Sequence, residues 1–170
     1  MILSFLTYKP VLVGLHLAFA IAGIDAFLWY LGELVQLQFG QSQTGAGQAG
    51  KSQNHARIKW ASIIGVIGFA LTWLLGGYYY VVNYGKMVKP VILKGTAPWA
   101  HAIAMEAKEH IFLFILPLAI TAMILAFVDK EEFEKFKLRK TAMLLAGFIA
   151  FLGLAIGAMG FIISAAVRWG

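Results

Sequence analysis

The chain has 170 residues, 61% of them hydrophobic, with 14 Lys or Arg, 8 Asp or Glu and 4 His, for a formal charge of +6. A soluble domain of this length needs a charged shell around its core. Here the charges fall in short clusters between long apolar stretches, so lipid is the expected solvent for most of the surface. The absence of Cys excludes disulfides, thiolate metal sites and thiol catalysis. The Lys and Arg residues lie in loops beside apolar segments, where anionic lipid headgroups are the nearer partner, so nucleic acid is not expected as one.

In chain order, the first apolar run covers 11–32 with a single charge, Asp25, and the others cover 61–84, 111–128 and 141–167 with none. Each is long enough to cross a bilayer, which takes about 20 helical residues. The runs are continuously apolar, without the alternation of a barrel strand. We therefore expect an all-α fold, an integral membrane four-helix bundle forming one domain, with spans at about 11–36, 60–84, 98–128 and 141–167. The first run lacks a basic n-region and a small-residue cleavage site, and is expected to stay in the mature protein. Pro10 and Pro98 suit the first turns of the first and third helices.

Between the spans, the Gly-, Gln- and Ser-rich stretch 40–54 reads as a flexible linker. The charged run 129–140, which contains Phe133 and Phe136, suits either a short segment at the headgroup boundary or a solvated hairpin. With both termini on one side, side A, that side and the 85–97 loop carry Lys9, Lys86, Lys89, Lys94 and Arg168. The other side, side B, carries Lys51, Arg57, Lys59, Lys130, Lys135, Lys137, Arg139 and Lys140. Cytoplasmic loops carry the excess of cations, so side B is expected inside and the termini outside, in a prokaryotic cell membrane.

Ionisable groups within spans are default candidates for function, because each costs about 2.5–3.5 kcal/mol at a helix centre. The third span begins with His101, Glu106, Lys108, Glu109 and His110. Taking Gln36, Trp60, Asp129 and Lys140 as side-B exits, twenty residues of helix reach His16, Tyr80, Glu109 beside His110, and Gly160, all about 30 Å from side B. By helical phase, Glu106, His110, Leu113 and Pro117 share one stripe, and His101, Met105, Lys108 and Phe112 share another. Depth favours His110 as the inward histidine, with His101 as substitute. Asp25 points away from His16 and falls near the level of Thr72; it reads either as a carboxyl bonded to Thr72 or as a proton-relay step. Glu33 is shallow enough to meet Arg57 or Lys59.

Two imidazoles at one depth on different helices suit bis-histidine haem b. His16 and His110 are then the axial ligands, Gly157 and Gly160 give the macrocycle room, Lys108 pairs with propionates, and Tyr80 adds a hydrogen bond. The glycines read equally as small-residue packing, and the tyrosines of the second helix as an aromatic belt. An alternative site of His16, His110, Glu106 and Glu109 would hold non-haem iron or copper, for binding or transport.

The Leu15-His16-Leu17 context early in the first of four helices, with further histidines on the third, resembles small bacterial membrane haem proteins of the copper-resistance D family and the four-helix membrane protoporphyrinogen oxidases. That resemblance implies haem b held by His16 and redox work at the membrane. The leading expectation is a b-type haem protein that transfers electrons, with quinone or a partner redox protein as donor or acceptor. Transition-metal binding or transport and a non-catalytic accessory subunit, including a homo-oligomer, stay open beside it.

Overall fold

The structure, a computed structural model, describes residues 8–39 and 48–169. The described chain is almost entirely helical, and four helices are long and apolar enough to cross a membrane: Lys9–Gln38, Asn54–Lys94, Ala100–Phe127 and Leu138–Trp169. We label the elements α1 (Lys9–Phe39), α2 (Gln48–Tyr79), a π-helical segment (Tyr80–Val88), α3 (Lys89–Lys94), a second π-helical segment (Ala100–Met105), α4 (Glu106–Phe127), α5 (Lys130–Lys135) and α6 (Leu138–Trp169).

The helices differ from the expected spans in three places. Residues 48–54, read as linker, belong to α2; residues 40–47 and the start of the chain before residue 8 lie outside the described residues. The second helix does not stop at residue 84 but runs through its π segment into α3 and ends at Lys94. The expected 85–97 loop thus shrinks to a tight connection ahead of the second π segment. Gly95 closes α3 there, its N–H donating to the carbonyls of Val91 and Ile92. The 129–140 run forms α5, a turn and the start of α6, with Phe133 buried and Phe136 exposed.

The long helices close a ring: α1 packs on α2 and α6, and α4 on α2 and α6. Alanine lines the seams, with Ala61, Ala119, Ala122, Ala126, Ala142, Ala146 and Ala150 all buried, because small side chains let helix backbones approach closely. Phe27, Tyr30 and Phe69 fill the space the alanines leave. The rings of Phe27 and Phe69 stack at 5.7 Å, and the Tyr30 hydroxyl donates to the Ala122 carbonyl at 3.1 Å, a bond worth about 1 kcal/mol that fixes α1 against α4.

Three contacts set the antiparallel register of α1 and α2. Toward side B, Arg57 pairs with Glu33 at 3.5 Å, and Trp29 Nε1 donates to the same carboxylate at 2.9 Å. At the crossing, a Cβ on Gly68 would lie 2.9 Å from the Gly23 nitrogen. Toward side A, His16 meets Thr72. The start of α1 and the end of α6 come to the same end of the bundle: Lys9 Nζ reaches Met87 Sδ at 2.8 Å, and α6 packs on the second π segment.

Candidate functional site at the side-A end

Polar side chains converge inside the bundle at the end where α1 begins and α6 finishes. His16 extends the inward line of α1 that continues through Ala20, Gly23, Phe27 and Tyr30, one position every three or four residues. Its Nδ1 lies 3.0 Å from the Thr72 carbonyl oxygen, and Thr72 Oγ1 donates back to the His16 carbonyl at 3.5 Å. A carbonyl only accepts, so Nδ1 carries the proton and Nε2 keeps its lone pair. The ring occupies space made by Gly76, where an added Cβ would stand 2.6 Å from Cε1.

On the third long helix, the inward line is Ala104–Met105, Lys108, Ile115, Ala119, Ala122 and Ala126. Lys108, and not His110, therefore projects into the bundle. Its ammonium sits beside α6, where a Cβ on Gly160 would stand 3.5 Å from Nζ, and within electrostatic reach of the His16 ring and the Glu109 carboxylate. Glu109 faces the Tyr80 phenol, and its Oε1 is closed to solvent without a hydrogen-bond partner among the described residues. Tyr80 stacks on Tyr84 at 5.2 Å. Tyr84 is buried, and its hydroxyl lies 2.9 Å from Nδ1 of His101.

Tyr80 and Tyr84 stand on one π segment and His101 on the other. A π segment widens the helix by one residue per turn, and such segments concentrate at functional sites. Here the two π segments face each other across the Tyr84–His101 contact.

Several expectations are corrected by this geometry. His110 is exposed, with Nδ1 on its own helix at the Glu106 carbonyl, 2.6 Å away; phase outweighs depth, and the stripe containing His101 and Lys108 is the one that faces the core. Glu106 is exposed as well, and Gly157 faces outward with nothing within 4 Å of an added Cβ, so it offers no cradle. The expected set of His16, Glu106, Glu109 and His110 is not drawn together: among the described residues no three His, Asp or Glu side chains are grouped to hold a metal ion. Asp25 is exposed and makes no bond to Thr72, which is taken up by His16.

His16 also lies opposite Thr72 and Gly76 and not opposite Tyr80. The count along the second helix starts from Trp60, whereas the Glu33–Arg57 pair puts the residue level with Gln36 about six positions earlier. Thr72, Gly76 and Tyr84 join the site although depth counting does not select them. They stand in line with Tyr80 at four-residue intervals, and this run of small and polar residues along one helix face is the sequence signal that marks them.

Compared with protein-family descriptions, characterised proteins and solved structures, the chain matches none.

Proposed function

We propose that the protein is an integral membrane protein with both termini outside, which holds haem b at the outer end of its bundle and passes electrons through it. The membrane reading draws support from the outward faces of the four helices. They carry Leu17, Ile21, Trp73, Leu113, Phe114, Phe151 and Phe161, all exposed, and burying such side chains in lipid removes the cost of wetting them. Thirteen cations divide five to eight between the ends, which supports the orientation. The second long helix has 41 residues, about 60 Å at 1.5 Å per residue. About half of its length then stands beyond a hydrocarbon layer of about 30 Å.

One observation carries the haem reading. The two histidines on inward lines, His16 and His101, are each anchored through Nδ1, by the Thr72 carbonyl and by the Tyr84 hydroxyl respectively. The Thr72 carbonyl only accepts, so His16 presents an unprotonated Nε2, the arrangement by which an outer partner orients a ligating imidazole; the Tyr84 hydroxyl positions the His101 ring and, where it accepts from Nδ1–H, leaves that Nε2 free as well. His101 takes the place expected of His110 as second ligand; its anchor Tyr84 stands eight residues, about 12 Å, beyond Gly76 on the second helix, so haem binding has to draw the two rings together. Haem supplies one-electron chemistry when bound. The chain's part is to orient the two rings, to set Lys108 where a propionate would find a cation, and to keep water from the Ala104–Met105 side through the second apolar cluster of Ile92, Ile163 and Ala166. Haem titration of detergent-purified protein tests this: the reading expects one haem per chain, lost in His16→Ala and retained in His110→Ala.

A second reading concerns partners. Asp25 lies at the midpoint of α1 on its exposed side. A carboxyl at that depth in lipid is costly, which favours a partner subunit or second copy covering α1. Crosslinking from position 25 in membranes tests it.

A further inference from the structure

The opposite end of the bundle holds a cavity of about 360 Å³. Its floor is apolar and is drawn from three long helices and α5: Leu34, Ile58, Leu125, Ala126 and Phe133. Its polar wall consists of His55, Lys130, Glu134 and Arg139. The wall depends on the turn between α5 and α6, where Lys137 adopts φ 52°. That left-handed residue folds the chain back so that Arg139, at the start of α6, reaches across to α1.

Arg139 is held at two of its three nitrogens. Nη1 donates to the Leu37 carbonyl at 3.2 Å, and Nη2 pairs with the Glu134 carboxylate. Its Nε is shut away from solvent with no hydrogen-bond partner among the described residues, and the same holds for Nε2 of His55. The His55 ring is set edge-on against Phe133 at 6.3 Å. Lys130 makes no ion pair among the described residues. The wall therefore carries two cations, the held Arg139 and the exposed Lys130, against one carboxylate, an excess of one positive charge, together with a buried N–H that has nothing to donate to.

An unmet buried donor is costly, and native structures meet such groups with water, an ion or a ligand. An oxyanion answers both the free N–H and the excess charge, since arginine favours carboxylate and phosphate oxygens. An oxyanion alone does not answer the volume, for one water's share of liquid is about 30 Å³. Nor does it answer the apolar floor.

We propose that this cavity binds an amphiphilic oxyanion. Its phosphate or carboxylate takes the Arg139 Nε–H and the Lys130 ammonium, and its apolar part lies against Leu34, Ile58, Leu125 and Phe133. Glu134, which also lines the cavity, holds Nη2 on the edge of the Arg139 guanidinium that Nη2 shares with Nε. The site is independent of the haem reading, being at the other end of the molecule.

The test is a titration of the full chain in neutral detergent, followed by native mass spectrometry, with four probes: dioctanoyl phosphatidic acid, octanoate, inorganic phosphate and dioctanoyl phosphatidylcholine. We expect saturable binding of one phosphatidic acid or one octanoate per chain, and the tighter of these assigns the source as phospholipid or fatty acid. Affinity falls about tenfold in Lys130→Gln and in Arg139→Gln, and Arg139→Lys restores only part of it because the charge returns without Nε. Leu125→Phe, at a half-buried position of the floor, narrows the cavity and leaves every cation in place, and weakens both amphiphiles but not their charge dependence; with Lys130→Gln, at an exposed position, it carries the test if Arg139→Gln does not fold. Phosphatidylcholine bound as tightly as phosphatidic acid, inorganic phosphate bound as tightly as either amphiphile, or affinities unchanged by all these substitutions would overturn the proposal.

Discussion

The His16 imidazole fills the volume that a side chain at Gly76 would need: a Cβ there would stand 2.6 Å from Cε1 and 2.8 Å from Nδ1. The ring cannot retreat without leaving the Thr72 carbonyl. Gly76→Ala is therefore expected to break that hydrogen bond and destabilise the bundle by about 1–3 kcal/mol. It should also lower haem uptake. Thermal unfolding and haem content check this, with Gly77→Ala as the control, since nothing lies within 4 Å of a Cβ at Gly77.

A tighter limit applies where α1 crosses α2. A Cβ on Gly68 would lie 2.9 Å from the nitrogen of Gly23 and 3.0 Å from the Phe19 carbonyl oxygen. Both neighbours are backbone, which cannot turn aside as a side chain can. Gly68→Ala should force the helices apart and cost about 1–3 kcal/mol. Gly14→Ala, which meets open space, should be neutral. Unfolding of the two variants in the same detergent separates them.

The hydroxyl of Tyr84 is the only group among the described residues seen to anchor His101. Tyr84→Phe removes that anchor while keeping the ring that stacks on Tyr80. Without its partner, Nδ1 of His101 loses about 0.5–1.5 kcal/mol of hydrogen bonding. The expected result is a shifted haem reduction potential with little change in haem content, read by redox titration. A potential equal to that of the unaltered protein would show that Tyr84 does not orient a ligand.

Asp25 puts the membrane reading itself to the test. It is exposed halfway along α1, where a carboxyl opposes insertion by up to about 3 kcal/mol. Asp25→Leu should make α1 insert more efficiently, as measured by the fraction of chains glycosylated across microsomal membranes. If Asp25 also holds a partner, the same substitution should abolish crosslinking from neighbouring positions. Unchanged insertion would mean that Asp25 does not lie within the hydrocarbon layer.

Most of the architecture is legible in the sequence, because four long apolar runs leave a chain little choice but long helices. Depth is nearly as legible: His16, Glu109 and Gly160 do come to one end of the bundle. Orientation is not, and the reason is specific. On the third helix, two stripes 180° apart each carry a histidine, and depth alone selects His110, whereas the alanines at 119, 122 and 126 mark the seam that includes Lys108 and points to His101. The polar wall of the side-B cavity is hidden for another cause. Arg139 reaches Leu37, distant in sequence, through the left-handed turn at Lys137, and no local pattern announces such a turn on a lysine.

Whether His16 and His101, and not His110, serve as ligands is decided most directly by the visible spectrum, oxidised and reduced, of protein purified after expression with ample haem. We expect a Soret band that survives His110→Ala, disappears in His16→Ala and changes from six- to five-coordinate character in His101→Ala. A protein without a Soret band, or one whose band is lost in His110→Ala and kept in His16→Ala, would contradict the assignment.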